Sequence, residues 1–506
     1  MNAPPPSPLL RPLSPHRCGG GQPVRWLPSD LGQPIPEDPH AISVCLPTWD
    51  SVIAYEENDP LVRGSLRAGY PRFVLPPAVR ELHDRVGGGK AYAFGSAGAA
   101  RRALSFVQAG GGVARIEQAG SAALLCFGDD AVAKDRAWQV WRHAGEGLSS
   151  RSSEAVLRGE SHATSSGDAA RAEVREILAR WHGVTVADVH LFPSGMAAVS
   201  TLHQYLSSRD EGGEGTVQVD FPYVDVARVQ KHFGKANFLS ITGSEATAGG
   251  LAAAFASGLT TGVFCEIPAN PLLDCVNLPA VAAIAAKQGV PVVADDTVAS
   301  VANVALLPHA DFVTTSLSKW STGSCNVLAG AVIVRPGSRF GGGFGAWVLE
   351  NDAAPLGDLD AAVVAGALPS LAARMVEVNR NAAAVADILR QHPGVRSFWY
   401  PRLDEGHPYA MVARPGAGAG GLMSFALRGG ERAAAAFYDH LALDKGPSLG
   451  ADFSMACPYT LLAHYDELDH AEAWGVPRDL IRLSVGTEPV DWSLSALDRA
   501  FEAAAR

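Results

Sequence analysis

A chain of 506 residues is too long for one simple domain and long enough for two or three. Its 47% hydrophobic and 18% charged residues are those of an ordinary globular protein. With 41 basic and 52 acidic residues the net charge is −11, which argues against a nucleic-acid partner. No apolar stretch of spanning length runs free of charges or glycines, which argues against a membrane one.

In chain order, residues 1–21 are proline-rich, with Pro4-Pro5-Pro6 and no signal-peptide cleavage pattern. They read as a disordered lead-in on a cytoplasmic protein. The seven cysteines, Cys18, Cys45, Cys126, Cys265, Cys275, Cys325 and Cys457, form no C-x-x-C pair and suit reduced thiols. Residues 22–144 mix short apolar runs with turns, which predicts a small α/β accessory region. In it, 122–127 reads as a strand, and Gly87-Gly88-Gly89-Lys90 lacks the spacing and the Ser or Thr of a phosphate loop, so it reads as a turn.

From Ala172 the pattern is helical, with Val174, Ile177, Leu178 and Trp181 on one face and Gly183 as the stop. A strand at 189–191 leads into Ser194-Gly195-Met196, which opens a helix through Leu206. Free N–H groups there either form an anion site or are simply capped by Ser194. After a strand at 216–219, Tyr223 either stacks on a flat ring or packs into the core. Strand 262–266, helix 278–288 and strand 290–295 make a βαβ unit. That strand ends in Asp295-Asp296-Thr297. Asp295 fits a protonated pyridine nitrogen; the competing metal reading lacks a nearby His or third acid at ligand spacing.

Strand 311–315 runs into Ser316-Leu317-Ser318-Lys319. A buried lysine at a strand end is costly, and an imine to an aldehyde cofactor, with Ser316 and Ser318 on its phosphate, gives it a role; a solvated loop lysine is the alternative. After a strand at 330–335, an Ala-rich helical pattern spans 359–389, interrupted at Pro369, and should link to a smaller C-terminal domain whose first strand is 422–425. There Arg482 lies inside the apolar run 481–485 and needs either a substrate carboxylate or a structural acid. Alternating strands and helices predict a doubly wound, mostly parallel sheet with ligands at the strand carboxyl ends.

The ordered set Ser194-Gly195-Met196, Tyr223, Glu266-Ile267-Pro268-Ala269-Asn270-Pro271, Asp295, Ser316-Leu317-Ser318-Lys319, Ser448-Leu449-Gly450 and Arg482-Leu483-Ser484-Val485-Gly486 resembles the Cys/Met-metabolism family of pyridoxal-phosphate (PLP) enzymes. The likeness runs from about Gly145 to the C-terminus. The long fungal-type cystathionine γ-synthase branch is most similar, through residues 145–151, Asp295-Asp296-Thr297, Cys325-Asn326-Val327, 42–49 and Gly69-Tyr70-Pro71-Arg72-Phe73.

The resemblance implies a fold-type I PLP-dependent transferase of the α/β class, with an N-terminal extension. Its parts would be the lead-in 1–21, accessory region 22–144, PLP-binding large domain 145–370 and small α+β domain 371–506. It implies that pyridoxal 5'-phosphate is bound at Lys319, with Asp295 on the ring nitrogen, Tyr223 against the ring and Asn270 at the ring hydroxyl. Ser194, Gly195, Met196, Thr297, Ser316 and Ser318 would surround the phosphate and ring, with Arg151 arriving from a neighbouring subunit of a homodimer or homotetramer. Arg482 and Ser448 would bind the substrate carboxylate, and Lys319, Asp295 and Tyr223 would be catalytic. No metal is implied.

The implied reaction is γ-replacement: a small-molecule amino acid loses its γ-substituent, and a second, nucleophilic substrate adds to a vinylglycine-type species. The alternatives are S-adenosylmethionine as donor with a carbon nucleophile, a γ- or β-lyase, and a non-catalytic PLP-binding protein. Four departures bear on this choice. Val224-Asp225-Val226 follows Tyr223 where Gly-Gly-Thr is usual, Asp296 stands for the usual Asn, Ser149-Ser150-Arg151 lacks the tyrosine of the usual Tyr-x-Arg loop, which argues against a simple lyase, and Gly323-Ser324 stands where Gly-His is usual.

Overall fold

The computed structural model describes residues 26–70, 74–120, 122–160, 166–209, 215–239, 244–255 and 260–506. The lead-in at 1–21 and the Pro71, Arg72 and Phe73 of the N-terminal stretch lie outside them.

The main sheet has seven strands, in the order Val189–Phe192, Gly330–Val334, Phe312–Ser316, Val292–Asp295, Thr260–Glu266, Gly215–Val219 and Ala236–Leu239. Gly330–Val334 runs antiparallel to both neighbours, and every other pairing is parallel. Its strands are apolar at consecutive positions because both faces are covered. Val292, Ala294 and Val313 enter one core, with Ile177 and Val281 from flanking helices. Val293 and Phe312 enter another, with Leu202 and Val229 from different helices. Side chains alternate between faces, so one strand feeds two layers of helix.

Helix starts and stops follow local chemistry. The helix Gly167–His182 ends at Gly183, whose φ of 69° suits glycine, and Leu278–Gln288 runs from an Asn277 cap to Gly289 at φ 72°. The Ala-rich stretch forms Asp358–Ala367 and Leu371–Gln391, broken by a 3-10 turn at Leu368–Ser370. Part of this stretch is long and apolar enough to cross a membrane by composition. Here its first part, through Val364, Leu371 and Val378, packs in the large-domain core, and its second, through Val385 and Leu389, in the small-domain core. It is the beam between the two.

The small domain carries a five-stranded sheet in the order Val395–Trp399, Leu422–Leu427, Ile481–Ser484, Met455–Pro458 and Asp444–Lys445. Arg482 lies on its central strand, opposite Ser424 on one side and Cys457 on the other.

The region before residue 145 is shared among several cores. Leu46, Trp49, Val52 and Tyr55 join the small-domain core. Tyr438 donates its hydroxyl to Leu46 O at 2.7 Å, and Lys445 donates Nζ to Pro47 O at 2.8 Å. Residues 77–144 build a separate three-stranded antiparallel sheet, Ala91–Phe94, Ala122–Cys126 and Arg115–Ala119, with its own core. The glycine-rich stretch 87–90 closes the helix Pro77–Gly87, with Gly88 and Gly89 at positive φ. Among the described residues six cysteines are free, and all six are buried.

Candidate active site

The strand Val292–Asp295 delivers Asp295 to the carboxyl edge of the sheet. Asp295 Oδ1 accepts the Thr297 N–H at 2.9 Å, and Oδ2 accepts the Thr314 hydroxyl at 2.6 Å. Thr297 Oγ1 in turn accepts the Ser316 N–H at 2.8 Å. These bonds lace two adjacent strand ends together and fix the carboxyl's direction. Burial pushes Asp295 above the ordinary aspartate value, a cost that a cation facing it would offset.

The helix Gly195–Ser207 points its N-terminus at the same place. Ser194 caps it, accepting the Ala197 N–H at 3.0 Å and donating to Gly145 O at 2.8 Å. A Cβ on Gly195 would fall 2.7 Å from Ser316 Cβ, so only glycine allows the helix this close to the strand. Ser316 Oγ is buried and bonds to no protein group. A helix N-terminus facing an unpartnered hydroxyl is an anion cradle, and a phosphate fits it.

Gly195, Met196, Tyr223, Asn270, Asp295, Thr297, Ser316, Lys319, Ser448 and Arg482 all line one cavity. Lys319 Nζ donates to Ser448 Oγ at 3.1 Å and lies 4.6 Å from the centre of the Tyr70 ring. Arg482 Nη2 donates to Pro447 O at 2.7 Å and to Ser448 O at 3.2 Å, while Nη1 donates to Asn270 Oδ1 at 3.2 Å. Its guanidinium lies over the Tyr459 ring, 4.7 Å from the centre. Arg482 is 4% exposed, and no acid among the described residues ion-pairs with it. The structural salt bridge that sequence left open is therefore not formed. A buried guanidinium held by carbonyls alone has an open demand for an anion.

Glu266, quoted in a motif but given no role, supports the opposite wall. Its Oε1 accepts the Tyr223 N–H at 2.7 Å, and its Oε2 accepts the Asn270 N–H at 3.3 Å. Burial first, then the neighbouring Asp295 charge, pushes it up to about 8. Asn270 donates Nδ2 to the Tyr459 hydroxyl at 3.1 Å. Tyr70 and Tyr459 are further wall residues that sequence reasoning missed. No local signal marked Tyr459; Tyr70 lay in a stretch that carried the family resemblance but was given no role.

Three of the named residues are held elsewhere. The Ser318 hydroxyl accepts the Ala329 N–H at 2.9 Å and donates to Ala329 O at 3.2 Å, so it closes the turn and does not line the cavity. Ser194 acts as the helix cap. Arg151 lies in an adjacent cavity, which shares Tyr70 and Met196 with the first. There its Nη1 donates to Asn326 O at 2.7 Å and pairs with Asp360 Oδ1 at 3.2 Å, within its own chain. Among the described residues no His, Cys, Asp and Glu cluster could hold a metal.

Comparison with known proteins agrees with this geometry. The sequence profile described as Cys/Met metabolism PLP-dependent enzyme matches residues 162–502. A cystathionine gamma-synthase of Neurospora crassa is 29% identical, over 94% of this chain and 99% of that one. The L-2-amino-4-chloropent-4-enoate dechlorinase/desaturase of Streptantibioticus cattleyicolor is 32% identical, over 93% and 98%. The crystal structure of cystathionine gamma synthase from Xanthomonas oryzae pv. oryzae, in complex with cystathionine, superposes with a TM-score of 0.58 at 28% identity, covering 67% of this chain and 87% of that one. With a lysine, an acid and an anion cradle meeting at the strand ends, the chain belongs to the Cys/Met-metabolism family of PLP-dependent enzymes.

Proposed function

We propose that this enzyme carries out γ-replacement on an amino acid with a γ-leaving group, taking a second, nucleophilic substrate. The observation that carries the reading is the buried, acid-free Arg482, which reaches the backbone of the same Ser448 whose hydroxyl holds Lys319 Nζ. An α-carboxylate on Arg482 brings Cα of the substrate toward that amine, and the guanidinium fork fixes its orientation.

Lys319 is the amine for the cofactor's aldehyde, Asp295 the partner of its ring nitrogen, and Gly195, Met196 and Ser316 the holders of its phosphate. Tyr223 flanks the ring and Asn270 the ring hydroxyl. The bound cofactor supplies an electron sink for charge that develops at Cα. This chain's residues do the rest. Lys319 Nζ takes the proton from Cα and returns one. Ser448 parks the amine between transfers. The apolar walls, Leu449 and Leu462 among them, exclude water from the site.

The donor class is a γ-activated amino acid, as an acyl or phosphoryl ester of homoserine or as S-adenosylmethionine, and the acceptor a thiol or a carbon nucleophile. A second reading, γ-elimination without an acceptor, is favoured by the S. cattleyicolor relative, whose name places the lost chlorine at carbon 4. Incubating holoenzyme with O-acylhomoserine, O-phosphohomoserine, S-adenosylmethionine and 4-halogenated amino acids, with and without thiol, separates the two. Replacement requires the acceptor and forms a new bond at Cγ; elimination releases a keto acid or alkene from one substrate. Release of no γ-substituent from any of them, with Lys319→Ala as blank, overturns the proposal.

A further inference from the structure

We infer that Tyr70 is a positioning residue for Lys319, supplied by the N-terminal segment of the same chain; this rests on Lys319 being the reacting amine. The ring centre lies 4.6 Å from Nζ, so the amine sits between the Tyr70 face and the Ser448 hydroxyl. An aromatic face attracts an ammonium and not a neutral amine. Tyr70 therefore favours the protonated, parked lysine and loosens its hold once the proton has left, which couples the position of Nζ to its charge.

The ring is fixed in place by its own segment. A Cβ on Gly69 would fall 2.6 Å from both Val74 Cβ and Val74 O, so only glycine lets Val74 come this close. Tyr70 O accepts the Val74 N–H at 3.0 Å, and Arg67 N–H reaches Gly32 O at 2.9 Å. The Tyr70 ring packs against a cluster that includes Ile42, Cys325 and Phe453. Ile42 N–H also bonds to Cys325 O at 3.0 Å, on the loop that follows Lys319. Ring and lysine are thus mounted on one stitched unit. Tyr70 also borders both cavities, so it stands where a ligand in either one meets the amine.

Competitive acetylation of the cofactor-free protein across the alkaline range, with the Lys319 peptide quantified by mass spectrometry, tests this without relying on turnover. The variants are Tyr70→Phe, which keeps the ring face, and Tyr70→Leu, which keeps bulk without it; Tyr70→Met replaces the latter if it does not fold. Without the ring face the labelling midpoint of Lys319 moves to lower pH, and labelling below the midpoint rises about five-fold. The phenylalanine variant stays within about two-fold of the parent. A change of access alone alters the high-pH plateau and leaves the midpoint where it was. An unmoved midpoint without the ring, or an equal movement with phenylalanine, overturns the inference. Borohydride fixation of pyridoxal phosphate on the parent protein is run alongside. If Lys319 is fixed but the midpoint does not move, the inference about Tyr70 alone fails; if Lys319 is not fixed, the proposed function fails with it.

Discussion

Two cavities lie side by side in this molecule and share the walls Tyr70 and Met196, yet their charged groups are handled in opposite ways. Around Lys319, Ser316 Oγ bonds to no protein group, and Arg482 donates only to carbonyl and amide oxygens. Around Arg151, the charges close on each other. Arg151 pairs with Asp360, Asn326 Nδ2 donates to Asp38 Oδ2 at 2.7 Å, and Asp225 Oδ1 bonds to His143 Nδ1 at 2.9 Å. The number of charges does not mark the reacting side. What marks it is that Arg482 has no acid partner among the described residues, whereas Arg151 has Asp360; an unpartnered oxygen occurs on both sides, at Ser316 and at Asn326.

The contrast is broken most severely at Lys319. Lys319→Ala should lower kcat by about 10³-fold or more, because among the described residues no other lysine lines that cavity. Borohydride should then leave no cofactor on the polypeptide; retained turnover would refute the mechanism. Arg482→Ala comes next. It removes the one guanidinium that the described residues place in the lining and leaves Asn270 Oδ1 and two carbonyls without that donor. Loss of a buried charged contact corresponds to about 2–5 kcal/mol, or roughly 30- to 4,000-fold in kcat/KM, carried mainly by KM. Steady-state kinetics with an unchanged KM would remove Arg482 from carboxylate binding.

The second cavity gives the matching test of structure against chemistry. Arg151 is 12% exposed and its partner Asp360 only 4%. Removing one member of a buried pair leaves the other uncompensated, so Arg151→Ala should cost about 3 kcal/mol of stability in denaturant unfolding. With the pair closed inside one chain, cofactor affinity per folded molecule should stay within about three-fold of the parent. A large loss of cofactor affinity with little loss of stability would instead place Arg151 on a partner subunit's phosphate, as the family resemblance implies.

What could be read in the sequence follows from how local each signal is. The strands Val292–Asp295 and Phe312–Ser316 were legible because a sheet covered on both faces needs uninterrupted apolar runs. Asp295, Lys319 and Arg482 were legible because each is an ionisable residue in or at the end of such a run. Gly195 was legible because a helix start at a strand exit is a standard anion site. Ser318 and Ser194 had the right spacing, but a hydroxyl can turn to the nearest backbone group, and here Ala329 and Ala197 take them. Tyr70 was opaque, since its contact with Lys319 depends on long-range folding of a turn-rich segment. The same limit hid the division before residue 145: short apolar runs show that a segment packs, and not which core it joins.

Neighbouring residues on one strand end supply the finest form of the comparison. Asp295 lines the cavity; Asp296, 1% exposed, lines neither cavity and has an unpartnered Oδ1. Burial, with the Asp295 charge adding to it, pushes Asp296 up to about 7 against the bonding of Thr315 and the charge of Arg414. An unfolded aspartate titrates near about 3.9. Between those values the folded chain keeps a proton that the unfolded chain has released. Stability from this group is therefore complete at low pH and is lost as pH rises toward 7, by about a factor of ten in the folding equilibrium per pH unit. Asp296→Asn cannot titrate and should flatten the stability curve by that amount between pH 4 and 7. Above 7 the two curves should run parallel, because Glu266, raised to about 8, titrates in both proteins. Urea unfolding at successive pH values decides it, and parallel curves from pH 4 upward would mean that Asp296 is ionised in the folded enzyme.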